Sequence, residues 1–184
     1  MNFTALDFET ADNRIPCEIG LSVVRNGMIV ETRSWLIKPS CFPYMNYWHQ
    51  QVHCITNREL EHAFAFDLHW NELQPYFEGQ AIVAHNAAFD MGVLRAALDF
   101  YRIDYPSVDY FCSVSMSRKT WKEMPGYKLN DLCNRLNIKL NHHRAGSDAE
   151  ACAGIVLRAA ETLNASTIEE LTQMLKIKPK TLAV

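Results

Sequence analysis

The sequence predicts an α/β domain, and three observations predict it. Residues 3–8, about 18–24 and about 28–37 are apolar, β-leaning runs, and Arg25-Asn26-Gly27 between the last two is a strong hairpin signal. Gln80-Ala81-Ile82-Val83-Ala84 is a short apolar run that reads as a buried strand. It leads at once into a helical stripe of Phe89, Val93, Leu94, Ala97, Leu98 and Tyr101. Four acids and a histidine fall where strands end and helices begin, which is where such a domain gathers its functional residues.

The first run ends in Asp7-Phe8-Glu9-Thr10. On a strand, side chains at i and i+2 share a face, so Asp7 and Glu9 project together while Leu6 and Phe8 face a core. Two adjacent carboxylates repel and call for a cation, and hard divalent ions such as Mg²⁺ or Mn²⁺ take oxygen ligands of this kind. Taken alone, so common a tripeptide reads as a solvated strand end with two unrelated acids. The other acids change that reading.

The hairpin strands follow, and Lys38-Pro39 to Pro43 starts a loop. Residues 44–66 are rich in aromatics and histidine without a clean period, with a short helix expected after Asn57. A helix is expected over 67–78, ending at Gly79. Asn86 is the expected N-cap of the 88–101 helix, which puts Asp90 within about its first turn. A strand is expected over 108–114, and helices near 113–122 and 128–136 with Pro125-Gly126 between them. Ser147-Asp148-Ala149-Glu150 reads as a capping box opening a helix over about 148–163, and Ser166-Thr167-Ile168-Glu169 as a second one. The expected organisation is one domain over residues 1–165, with a short C-terminal helix and a tail or linker stub over 166–184.

Composition bounds the partners. The 184 residues carry a formal net charge of -3, so the chain has no basic field to coat nucleic acid. Touching a few nucleotides at a metal-bearing acidic site remains open to it. The six cysteines include no C-x-x-C pair, no secretory signal precedes them, and no stretch suits a membrane span. They are expected to be reduced and mostly buried, in a cytoplasmic protein with no membrane partner. His49, His53, Cys54 and Cys41 could form a zinc site, but their spacing matches no usual pattern.

Asp7, Glu9, Asp90 and Asp148 thus stand at element ends, with His143 five positions before Asp148. A central 80–84 strand beside the first one would bring Asp90 to Asp7 and Glu9. The motifs D-F-E-T at 7–10, H-N-A-A-F-D at 85–90 and H-R-A-G-S-D-A at 143–149 resemble those of the DEDDh exonucleases. Among these they look most like the proofreading (epsilon) subunit of bacterial DNA polymerase III and its free-standing relatives. Glu18-Ile19-Gly20, Val52-His53-x-Ile55-Thr56 and Asp109 add to the resemblance, which spans about residues 3–163.

The resemblance implies a ribonuclease-H-like fold, with a mixed five-stranded sheet and helices on both faces. It implies two Mg²⁺ or Mn²⁺ ions on Asp7, Glu9, Asp90 and Asp148, and His143 as general base, with the adjacent His142 outside the H-x-x-x-x-D spacing. An imidazole suits that task because its pKa lies near neutral. It implies Thr10, Val52 and His53 as contacts to the terminal nucleotide. Phe89 would touch a nucleotide or belong to the helix core, the commoner fate of such a residue. His85 and Asn86 are expected to be structural. The cations and aromatics of 118–128 suit a single strand, although a solvated helix face fits them better.

The implied activity is 3′-to-5′ hydrolysis of DNA, single strands preferred, releasing nucleoside 5′-monophosphates, with a polymerase subunit as a partner. The alternatives are a 3′-to-5′ exoribonuclease, a catalytically silent nucleic-acid or polymerase-binding adaptor, and a zinc-binding regulatory domain.

Overall fold

The structure is a computed structural model that describes residues 1–182. The chain opens with β1 (Phe3–Asp12), β2 (Ile15–Arg25) and β3 (Met28–Leu36), an antiparallel meander. Asn26 and Gly27 both take positive φ, 52° and 76°, which is what the tight turn between β2 and β3 demands. The helices α1 (Tyr47–His53), α2 (Asn57–Leu60) and α3 (Phe66–Leu73) follow, and a turn of 3₁₀ helix leads to β4 (Ile82–Ala84). Then come α4 (Ala88–Tyr101), β5 (Asp109–Cys112), α5 (Ser113–Thr120), α6 (Leu129–Leu136), α7 (Ala145–Leu163), α8 (Ile168–Met174) and β6 (Lys180–Thr181).

Among the described residues six strands lie in the order β3-β2-β1-β4-β5-β6. β4 is wholly buried and pairs in parallel with both β1 and β5. One more strand is present among the described residues than the resemblance implies, because Lys180–Thr181 return to the sheet. β6 pairs antiparallel with β5, and Leu182 is buried beyond it. The stretch expected as a tail is therefore packed as far as Leu182, while residues 183–184 lie outside the described residues.

Helices cover both faces. Leu6, Phe8, Ile19 and Leu21 pack with Phe66, Trp70, Met91, Leu94 and Leu98 of α3 and α4. Phe3, Ala5, Val83 and Phe111 pack with Met116, Cys152, Ala153, Val156 and Leu171 of α5, α7 and α8. The alternation along β1 thus sends even-numbered residues toward α4 and odd-numbered ones toward α7. No helix among the described residues is long and apolar enough to cross a membrane. All six cysteines are unpaired; Cys17, Cys133 and Cys152 are buried and Cys54 is exposed.

Candidate active site

Asp7 and Glu9 do not end a strand, as the residues suggested, because β1 runs on to Asp12 against β2. What ends is the parallel ladder. β1 pairs with β4 only through Thr4, Ala5 and Leu6, so the two acids begin where β4 stops. This is the carboxyl end of the parallel strands, where open α/β sheets place their sites. The β1–β2 register shifts after Glu9, and Thr10 just beyond the shift is buried.

Asp90 arrives from α4. Asn86 is not the N-cap expected for that helix; it takes φ 69° in the turn from β4, and the helix starts after Ala87 without a side-chain cap. Asp90 is 1% exposed, and its Oδ1 accepts the Phe8 backbone N–H at 3.1 Å. Asp148 arrives from α7, which begins at Ala145, three residues before the expected start. Ser147 is no cap: it lies in the first turn, and its hydroxyl accepts the Asn141 N–H. The true partner of the helix start comes from across the sheet. Buried Glu18 accepts the Ala145 N–H at Oε2 (3.0 Å) and an Arg144 N–H at Oε1 (3.2 Å). Opposite Asp7 on β2 stands Gly20, and a Cβ there would fall within the backbone of Ala145 and Gly146. The bare backbone at Gly20 lets the start of α7 lie against the sheet. Glu18 and Gly20 thus set where His143 and Asp148 stand.

Oxygens of Asp7, Glu9 and Asp148 lie within 4.8 Å of one another. Asp90 Oδ2 and Asp148 Oδ1 are buried without a hydrogen-bond partner among the described residues. Burial, then the Asp90 and Asp148 carboxylates, holds Asp7 well above the usual carboxylate range. Burial and Asp148 push Glu9 up to about 8. Burial pushes Asp90 up to about 8 against the opposing donation from Phe8, and Asp148 up to about 7. Such crowding is what a bound divalent charge would relieve.

His142 and His143 stack face to face, ring centroids 3.7 Å apart. His143 takes φ 67°, its N–H donates to Asp148 Oδ2 (3.1 Å), and its Nδ1 lies 3.9 Å from Glu9 Oε1. His142 Nε2 lies 3.7 Å from Asp148 Oδ2, so both rings face the acids. Burial lowers the pKa of each, and each ring is neutral and able to accept a proton near pH 7.

The acids open into a groove of about 750 Å³ whose walls include Phe89, Arg118, Tyr127 and Lys128. A side pocket of about 300 Å³ adjoins it and shares Glu9 and Phe89. Thr10, Val52 and His53 line this pocket with Trp48, which the sequence reading missed, and His49, which it weighed only as a zinc ligand. Their signal lay in α1, an unrecognised helix whose start is capped by the Asn46 side chain accepting the Trp48 N–H. Phe89, 44% exposed, is not core. Val52 is exposed, whereas His53 is turned inward. Its Nδ1 accepts the Ile55 N–H, so Nε2 carries the proton and donates to the Thr10 carbonyl. His53 therefore braces the pocket wall rather than reaching into it. It joins no metal-like cluster with His49, Cys41 or Cys54 among the described residues.

The exonuclease family model for RNase T matches residues 4–156. The chain is 29% identical over 181 residues to the 3′-5′ exonuclease DinG of Bacillus subtilis, covering 95% of this chain and 19% of that protein. It is 31% identical over 187 residues to a PolC-type DNA polymerase III of Thermotoga maritima, covering 96% of this chain and 13% of that protein. The chain thus spans about a fifth or less of these curated relatives. Among solved structures, exonuclease X in complex with 5′-overhanging duplex DNA shares the fold at a TM-score of 0.75 and 22% identity, covering 94% of this chain and 99% of that one. The nuclease domain of 3′hExo, a DEDDh family member bound to rAMP, gives 0.73 at 15% identity, covering 90% and 94%. With the family model spanning most of the chain, the chain belongs to the RNase T exonuclease family.

Proposed function

We propose that this exonuclease domain removes nucleoside 5′-monophosphates from the 3′ ends of DNA, single strands preferred, with Mg²⁺ or Mn²⁺. One observation carries the reading: four carboxylates converge at the end of the parallel strands, and Asp90 Oδ2 and Asp148 Oδ1 are buried without partners among the described residues. Orphaned oxygens in an acid cluster fit hard cations, and Asp7, Glu9, Asp90 and Asp148 are the residues that would hold two of them. When bound, the ions supply charge stabilisation to the attacking and leaving oxygens of an in-line displacement.

The protein residues do the rest. His143 takes a proton from the attacking water, and Glu18 and Gly20 hold the turn on which it stands. Thr10, Trp48, Val52 and Phe89 enclose the terminal nucleoside in the side pocket, whose wall His53 braces. DNA is favoured over RNA because the DinG and PolC-type relatives are a 3′-5′ exonuclease and a DNA polymerase by name. The PolC-type relative supports a polymerase as partner. In favour of the exoribonuclease reading stands the neighbour bound to rAMP.

Matched 3′-labelled DNA and RNA oligonucleotides, digested with each metal, test the reading. Mononucleotide release from DNA and not from a circular single strand is expected, and efficient cutting of the circle would refute it. His143→Ala is expected to lower turnover roughly 10²–10⁴-fold, the span for losing a general base. It should still bind a DNA end with metal present, and His142→Ala should be much milder. A more damaging His142→Ala would reassign the base.

A further inference from the structure

We propose that Arg118, Tyr127 and Lys128 form a subsite for the nucleotide that precedes the terminal one, with Arg118 binding its phosphodiester. The proposal rests on the 3′-end reading above. If the side pocket beyond Glu9 holds the terminal nucleoside, the scissile phosphate lies over the acids. The rest of the strand then leaves along the groove past Phe89. That part of the groove is lined by Val114, Arg118, Tyr127, Lys128 and Asn130. Arg118 and Lys128 are the only Lys or Arg side chains among the described residues that line it.

These cations are free for a ligand. Neither makes an ion pair or a side-chain hydrogen bond among the described residues, although Asp7, Glu9 and Asp148 line the same groove. Lys119, beside Arg118, is differently placed: its ammonium donates to the carbonyls of Leu175 and Lys176. The Arg118 guanidinium lies 5.6 Å from the Tyr127 ring centroid, a cation–aromatic pair facing the groove. A planar guanidinium matches phosphate geometry, and an aromatic ring offers a stacking face to an unpaired base.

The platform is also anchored. The Tyr127 hydroxyl donates to the Trp121 carbonyl at 2.6 Å. Its own carbonyl accepts from His85 Nε2 at 3.0 Å, which leaves His85 Nδ1 to accept the Ser113 hydroxyl at 2.7 Å. His85 directly follows β4, so the loop carrying Tyr127 and Lys128 is pinned to the strand that leads to Asp90. Within 118–128, Arg118, Tyr127 and Lys128 wall the groove, while Lys119, Lys122 and Glu123 are exposed outside it, the solvated face that the composition favoured.

The test compares two substrates. Thymidine 5′-(4-nitrophenyl) phosphate offers a terminal nucleoside and a scissile phosphate with no preceding nucleotide, and a single-stranded oligothymidylate offers the full strand. Arg118→Gln is expected to lower kcat/KM for the oligonucleotide about tenfold more than for the nitrophenyl ester, through KM. Arg118→Lys should lie between, and Lys122→Gln, outside the groove, should leave the ratio unmoved. The salt dependence of strand binding should flatten by about 0.7 in log–log slope, the value of one phosphate contact on a single strand. An equal loss on both substrates, or an unmoved ratio, overturns the proposal. Fluorescence anisotropy with a 5′-labelled oligothymidylate separates the two readings. A wild-type protein that cleaves neither substrate, yet loses strand affinity about tenfold with Arg118→Gln, sinks the exonuclease reading and keeps the subsite. Unchanged affinity sinks the subsite.

Discussion

α4 and α7 each deliver one carboxylate to the same cluster, but they are held there by different means. α4 follows directly from β4, and Asp90 is tied to the main chain of the neighbouring strand through the Phe8 N–H. Its place is set by the sheet itself. α7 enters from a loop, and its start is tied to β2 by one side chain, Glu18, and by the bare backbone at Gly20. Asp148 and His143 therefore depend on two β2 residues that hold the start of α7 and do not line the groove. A site can be rigid on one flank because of backbone pairing, and on the other because of two well-placed residues.

The largest expected effect ignores this difference. Asp90→Asn and Asp148→Asn should each lower turnover by roughly 10³-fold, the upper scale for losing one charge-organising group, while the protein stays folded. Steady-state turnover with circular dichroism checks this, and near-wild-type activity in either variant would remove that helix from the site. Gly20→Ala comes next and sharpens the contrast. The new methyl group meets backbone that cannot swing aside, so a loss of about 1–3 kcal/mol in urea unfolding is expected, with activity falling as α7 is lifted. A variant with unchanged stability would mean that the α7 start gives way freely.

Glu18→Gln is milder. It keeps an acceptor for the Ala145 N–H but loses the charged partner of Arg144. A roughly 10–100-fold fall in turnover with little change in melting temperature is expected if Asp148 holds a metal as proposed, the scale for groups that orient a metal ligand. Equal losses of activity and stability would make Glu18 a folding residue only. The smallest effect is on metal-free stability. Glu9 and Asp90 at about 8, and Asp148 at about 7, hold protons in the folded protein more tightly than an unfolded chain would. Their contribution to stability is full below about pH 4 and is lost as pH rises through 7 to 8. The melting temperature in chelator should fall over that window, and saturating Mg²⁺ should flatten the curve. A metal-free protein that gains stability across the window would contradict the cluster's crowding.

Much of this was legible in the residues. The hairpin at Asn26-Gly27 and the bounds of α4 follow from local rules, because a turn type and an amphipathic stripe are written in neighbouring residues. α1 was not legible, because among its residues only His53 is buried and no apolar period marks it. The start of α7 misled for a different reason. Ser147 to Glu150 imitates a capping box, while the residue that satisfies the helix start, Glu18, lies 127 positions from Ala145. The second capping pattern was off by one. Thr167, not Ser166, accepts the Glu170 N–H, and the Glu170 carboxylate accepts from Ser166.

By itself the sequence determined that Asp7 and Glu9 share a face, that Asp90 stands in the first turn of a helix, and that one motif carries His143 and Asp148 together. These are consequences of a period of two on a strand and of 3.6 on a helix. Only the tertiary structure decided that they meet. β4 had to pair in parallel beside β1 to bring Asp90 to the Phe8 N–H across 82 positions, and α7 had to descend onto Gly20. It also decided that His142 and His143 both face the acids, that His53 turns inward, and that β6 extends the sheet beside β5. Periodicity acts between neighbours and is present in any stretch of chain. Strand order and close approach depend on distant segments being packed into one core, and no local pattern carries that information.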